Sequence, residues 1–149
     1  MRFRVYIDTS VIGGCLDEEF AQESRALLEM AGKGDIVLLI SDLMVEELTR
    51  APQKVKEILT GLPVDGIEEI ERSMETYRLH QAYLDAGVVS PQSSNDAHHV
   101  ALATVFRADI IVSWNFKHIV HWEKIRRFNA VNLSEGYAMI DIRSPKEVV

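Results

Sequence analysis

Val5-Tyr6-Ile7-Asp8-Thr9-Ser10 is an apolar run that stops on an acid and two hydroxyls. With Phe3 it reads as a strand, Phe3 to Ile7, too short for a helix. Asp8 then emerges at the strand's carboxyl edge. Two other continuous apolar runs, Ile36 to Ile40 and Ile110-Ile111-Val112, read as strands buried on both faces. Helical patterns lie between them. That alternation predicts an α/β fold, a three-layer α/β/α domain with a mostly parallel central sheet. In such sheets ligands bind beyond the carboxyl ends of the strands, near the switch in strand order. Asp8 and Asn115 both follow strand ends and should share that edge.

The rest of the chain is read around this frame. Gly13 and Gly14 loosen the backbone before a helix from Asp17 to Ala31, which buries Phe20, Leu27, Leu28 and Ala31 and ends at Gly32-Lys33-Gly34. Ser41 or Asp42 caps the helix carrying Glu46 and Glu47, and Pro52 ends or kinks it. A short helix follows from Gln53 to Leu59, then a turn at Gly61-Leu62-Pro63. Ile67 to Ala86 is predicted as one long helix with Ile67, Ile70, Met74, Tyr77 and Leu84 on a stripe, closed by Gly87. Ser94 or Asn95 caps a helix to about Arg107. Short helical pieces are expected at Phe116 to Ile119 and Glu123 to Phe128, and a last strand at Ala138 to Ile142. No repeat or linker interrupts residues 1–149, which read as a single domain.

Composition excludes several classes. The 149 residues carry 16 Lys and Arg against 23 Asp and Glu, a formal charge of −7. A general nucleic-acid coat should be basic, because its affinity comes from releasing counterions. An enzyme with a local basic rim remains possible, and an acidic body suits a basic protein partner. Cys15 is the single cysteine, so neither an internal disulfide nor a cysteine zinc cage can form. No apolar run approaches the ~18 residues of a membrane span. The start, Met1 to Ile7, is cut short by Asp8 and is read as a strand, not a signal peptide. A cytoplasmic location fits.

Each acid has a local explanation when taken alone. Asp8 could form an Asx turn or a helix cap. Glu46 and Glu47 stand in the first turns of a helix, where negative charge is favoured. They point about 100° apart, so only one can face a given site. Glu47 lies four positions after Leu43, on its face. Asp96 opens a helix, another favourable place for an acid. His98 and His99 are adjacent and lack HExxH spacing, so they make no zinc site; at least one is read as a surface or supporting histidine.

Together, in order, these segments resemble the PIN domain family, and more narrowly the VapC-type ribonuclease toxins. Val5-Tyr6-Ile7-Asp8-Thr9-Ser10 is similar to the family's opening strand and first acid. Ile40-Ser41-Asp42-Leu43-Met44-Val45-Glu46-Glu47-Leu48 resembles the second motif, in which a glutamate directly precedes leucine, and this selects Glu47. Asp96-Ala97-His98-His99-Val100-Ala101-Leu102-Ala103 resembles the third. Ala108-Asp109-Ile110-Ile111-Val112-Ser113-Trp114-Asn115 resembles the fourth. The match spans about residues 3–120. It departs in one respect: many members carry a fourth acid where this chain has Asn115 or His118. Asp109 precedes its strand and should lie at the opposite end of the sheet.

The resemblance implies metal-dependent hydrolysis of RNA, with Asp8, Glu47, Asp96 and Asn115 as catalytic and metal-binding residues, supported by Ser10 and Ser113. Hard oxygen donors suit Mg²⁺ or Mn²⁺. Asn115 removes one negative charge, which should weaken metal binding and puts a second tightly held metal in question. Lys117, His118, Lys124, Arg126 and Arg127 are the candidate RNA-binding rim; a solvated helix face explains these charges equally well. Trp114 and Trp122 suit burial or a dimer contact better than base stacking. The resemblance also implies a small antitoxin partner and a homodimer. The alternative is a PIN-like RNA- or protein-binding module with weak catalysis or none. A haloacid-dehalogenase-type phosphatase would need a second Asp two residues after Asp8, and that position is Ser10.

Overall fold

The computed structural model describes residues 2–149; Met1, part of the N-terminal reading, lies outside them. β1 is Phe3–Ile7, followed at once by α1, Thr9–Gly14, and then α2, Ala21–Gly32. β2 (Ile36–Ser41) runs into α3 (Asp42–Leu48), and α4 is Gln53–Thr60. β3 (Ile67–Ile70), α5 (Met74–Asp85), α6 (Ser94–Val105), β4 (Ile110–Val112), α7 (Trp122–Ser134) and β5 (Asp141–Arg143) complete the order. The strands form one sheet in the order β3-β2-β1-β4-β5, every neighbouring pair parallel. This is the α/β sheet that the apolar runs predict.

The period of two along β1 and β2 builds the layers. Val5, Ile7, Leu38 and Ile40 pack on one side with Val11, Ile12, Leu27 and Ala31 of α1 and α2. Tyr6 and Leu39 point to the other side, against α5, α6 and α7 through Leu79, Tyr83, Val100, Ala103 and Phe128. The α6 helix is buried from Ala97 to Thr104, with alanine at 97, 101 and 103. These small side chains let it lie close beneath the sheet and α5. Strand order reverses at β1, where β4 joins the flank opposite β2, so the crevice between the carboxyl ends of β1 and β4 is the ligand-binding position for this topology. Among the described residues no helix is long and apolar enough to cross a membrane.

Several elements differ from the sequence reading. Ile67 to Ala86 is not one helix. Its first part is the edge strand β3, registered on β2 from Leu38↔Ile67 to Ser41↔Ile70. Ile-Glu-Glu-Ile has apolar residues three apart, which imitates helical spacing; the half-exposed edge position accounts for its polar middle. The helix begins only after Ser73, whose hydroxyl accepts from Thr76 N while Thr76 Oγ1 accepts from Ser73 N. Gly87, at φ +68°, follows its end as expected.

Gly13 and Gly14 do not loosen the chain; they lie in α1. A Cβ on Gly14 would stand 2.6 Å from Ser24 Oγ and 2.9 Å from Trp114 Nε1, so glycine there permits close packing of these groups. The α2 helix starts at Ala21, later than Asp17. Helix α6 has Ser93 at its N-cap, while the Ser94 hydroxyl pairs with His80 Nε2 at 2.8 Å. Phe116 to Ile119 forms turns, not helix, and β5 is centred on Ile142. The α7 helix is twice as long as expected because two buried asparagines, Asn129 and Asn132, interrupt its apolar stripe.

Candidate active site

Asp8 sits one residue beyond β1 and is nearly fully buried. Position 8 shares the face of Tyr6, two residues earlier, and so points toward the α6 layer. Ser10 Oγ donates to its Oδ1 at 2.6 Å and Ser113 Oγ to its Oδ2 at 2.9 Å. Ser113 follows β4, so this pair of bonds closes the crevice at the strand-order reversal. Ser10 Oγ also accepts from Trp114 N, and Ser113 Oγ from Asn115 N, each at 2.9 Å. Burial pushes the Asp8 carboxyl above its ordinary value; His99 and the two serines pull it back, and the charge of Asp96 pushes it up again.

Glu46 and Glu47 diverge as their 100° separation requires. Glu46 is exposed and pairs with Arg72, which also bridges to Asp42 at 3.1 Å. Glu47 is half-buried and turns toward β1 and α6. Its Oε1 accepts from Thr9 Oγ1 at 2.6 Å and lies 2.6 Å from His99 Nε2. Burial works to raise its carboxyl, but the hydrogen bonds from His99 and Thr9 leave it below the ordinary value. A polar cleft of about 420 Å³, lined by Glu46, Glu47, Thr49, Arg50 and Asn95, opens beside it.

Asp96 lies in the first turn of α6, half-buried. Burial raises its carboxyl; His118, the Asn115 amide and His99 lower it, and Glu47 raises it again. Asp96 is therefore coupled by charge to both Asp8 and Glu47 at the carboxyl edge of the sheet. Asn115 Oδ1 accepts from His118 N at 2.9 Å and so braces the turn after β4. His118 Nε2 meets Ser93 Oγ at 3.1 Å, at the start of α6. Its Nδ1 is buried without a hydrogen-bond partner, the sole such side-chain atom among the described residues.

Among the described residues, no three His, Cys, Asp or Glu side chains form a ready-made metal cage. The edge instead holds three carboxylates, Asp96 coupled by charge to the other two, with an amide and an unpartnered imidazole nitrogen nearby. The chemistry of these oxygen donors suits a hard cation that keeps several waters. It does not fit a closed structural site.

A PIN domain family model matches residues 4–117. The chain belongs to the PIN domain family. Among solved structures, it is similar in fold to VapBC2 from Rickettsia felis bound to a DNA fragment from the promoter of that pair. The TM-score is 0.62 at 14% identity, covering 95% of this chain and 98% of the other. It is also similar to DNA-bound VapBC from Salmonella typhimurium, with a TM-score of 0.59 at 15% identity, covering 96% of this chain and 98% of that one. No curated protein matches the sequence.

Other predicted residues of this PIN domain have different surroundings. Asp109 lies at the amino end of the sheet, where its Oδ2 accepts from Arg4 N at 2.8 Å. Lys124 Nζ donates to Val88 O at 2.8 Å and Arg127 to Ala86 O at 2.9 Å, so both hold carbonyls of the turn after α5. Arg126 lies over the exposed Trp122 ring. Trp114 is buried, stacked on Phe20 and bonded to Ser24. Lys117 is exposed and His118 adjoins Asp96. Sequence reading missed Thr9, Tyr6 and Arg50. It left His98 and His99 unseparated, and neither is a surface residue. Their spacing did hold a signal: His99 is three after Asp96, on the same helix face.

Proposed function

We propose that this chain is a metal-dependent endoribonuclease that hydrolyses RNA phosphodiester bonds, the toxin of a type II toxin–antitoxin pair. What supports this reading most is the charge coupling of Asp96 with both Asp8 and Glu47 beside the strand-order reversal of a PIN domain. Two of these acids are pushed up by burial and crowding. Carboxylates so placed are relieved by a divalent cation.

In this reading Asp8, Glu47 and Asp96 hold Mg²⁺ or Mn²⁺, directly or through water. Asn115 completes the shell with its second carbonyl lone pair or orients a water. The cation supplies an acidified water and neutralises charge on the phosphate. The chain's own groups do the rest. Ser10 and Ser113 fix both Asp8 oxygens, and Thr9 and His99 fix Glu47. Arg50 and Lys117 are the exposed cations suited to the RNA backbone. A small antitoxin with a basic side chain suits the acidic edge, and a second copy of the chain is the proposed further partner.

The engagement of Asn115 Oδ1 by His118 N favours a second reading, a PIN-like RNA- or protein-binding module with little catalysis. End-group analysis of RNA incubated with the protein and Mn²⁺ separates the two. Hydrolysis by a positioned water leaves 5′-phosphate ends and stops with chelator. Binding without new ends supports the module, and 2′,3′-cyclic phosphates would mean that the RNA 2′-hydroxyl attacked instead.

A further inference from the structure

Given the reading of Glu47 as a cation ligand, we propose that His99 is a positioning residue that holds Glu47 as a one-oxygen ligand. A buried chain of hydrogen bonds sets the histidine's tautomer. Met44 N donates to Ser41 Oγ at 3.1 Å. Ser41 Oγ lies 2.9 Å from Tyr6 Oη, and Tyr6 Oη lies 2.6 Å from His99 Nδ1. His99 Nε2 then reaches Glu47 Oε1 at 2.6 Å. Tyr6, Ser41 and His99 are all buried.

The carboxylate end fixes the donor at His99 Nε2, and the buried Ser41 hydrogen, which has no other acceptor in the chain, fixes the directions between. A backbone N–H can only donate, and an ionised carboxylate can only accept. Ser41 therefore donates to Tyr6, and Tyr6 to His99 Nδ1, while His99 Nε2 carries the hydrogen given to Glu47. The neutral imidazole satisfies every partner in this chain. Reversing the hydroxyls would leave the Ser41 hydrogen with no acceptor along it.

The consequence falls on Glu47. Its Oε1 takes one hydrogen bond from His99 and another from Thr9, which occupy both of its lone pairs. Oε2 is then the oxygen left for a cation, and Asn95, which lines the same cleft, is exposed at its rim. β1 supplies Tyr6, and the residue just past its end is Asp8. The end of one strand thus presents a ligand and, through His99, aims a second.

The test is Mn²⁺ binding by calorimetry on the full chain without RNA. Asparagine at 99 keeps an acceptor for Tyr6 but has no donor that reaches Glu47. Glutamine places an amide nitrogen near the position of Nε2. His99→Asn should weaken Mn²⁺ binding by roughly 10–100-fold, as for other partners of metal ligands, and His99→Gln should recover most of that loss. Wild-type affinity in His99→Asn, or equal losses in both variants, would overturn the proposal. Equal Mn²⁺ binding by wild type and Asp8→Asn would overturn the underlying site as well, so the two failures are distinguishable. Imidazole ¹⁵N spectra of the wild-type protein need no variant to fold: the Nε2-protonated neutral tautomer is expected at His99, and the Nδ1-protonated form would refute the chain of bonds.

Discussion

Ser113 Oγ donates to Asp8 Oδ2 at 2.9 Å, joining the loops that follow β4 and β1, 105 residues apart in sequence. The same hydroxyl accepts from Asn115 N. One serine thus couples the first acid to the turn that carries the fourth polar residue. Ser113→Ala should cost about 1 kcal/mol of stability, the net worth of a typical hydrogen bond, and lower cleavage by roughly tenfold, the lower range for a ligand's partner. Urea denaturation and RNA cleavage measure the two effects. Unchanged cleavage would show that Asp8 needs no such support.

Asp96→Asn should lower cleavage by at least about 100-fold, since a direct ligand matters more than its partners. Its fold should survive in metal-free buffer. Burial and Glu47 already disfavour the Asp96 charge, so a neutral amide relieves crowding. A large fall in Tm for the metal-free variant would contradict this.

The two adjacent glutamates provide a sharper contrast. Glu47→Gln should abolish cleavage, while Glu46→Gln loses only an exposed pair with Arg72, worth at most about 1 kcal/mol. Equal loss of cleavage rate in both would refute the assignment of Glu47.

The charged rim divides in the same manner. Arg50→Ala and Lys117→Ala should weaken RNA binding and each reduce its salt slope by about 1. Lys124→Ala and Arg127→Ala should mainly lower Tm, because these side chains hold carbonyls after α5. Filter binding across a salt series, beside thermal melts, distinguishes the pairs; the reverse pattern would restore the α7 charges as the rim.

A pH dependence follows from His98. Burial, with His80 and Arg72 adding to it, lowers this imidazole to about 4. In the unfolded chain it titrates near 6.5. Between those values the unfolded state binds the extra proton, so the contribution of His98 to stability is whole above pH ~6.5 and is lost as pH falls toward 4. Urea midpoints from pH 7 to 4.5 should fall less steeply in His98→Gln than in wild type. Parallel curves would show that His98 is not the group involved.

Much of this fold was legible because buried parallel strands leave continuous apolar runs, as β1, β2 and β4 do. Asp8 stood out because it interrupts such a run; Glu47 shares the helix face of Leu43, and the resemblance to a motif in which glutamate precedes leucine chose it over Glu46. The edge strand β3 was hidden by its Ile-Glu-Glu-Ile pattern, which suits a helix surface equally well. Helix α7 was shortened in the reading because Asn129 is buried for a reason far along the chain: its side chain bonds both Ile140 N and Ile140 O. His99 could not be singled out because its partners, Tyr6 and Glu47, come from two other elements. The engagement of Lys124 and Arg127 by backbone carbonyls is likewise invisible without the packing of α7 on α5.

The central claim is that the three carboxylates constitute one catalytic cation site. Its most direct test is cleavage of a panel of RNAs in Mn²⁺ by wild type and Asp8→Asn, purified side by side. The account predicts cutting by wild type that chelator abolishes, and none by Asp8→Asn. Equal cutting by the two proteins would assign the activity to a contaminant and contradict the account.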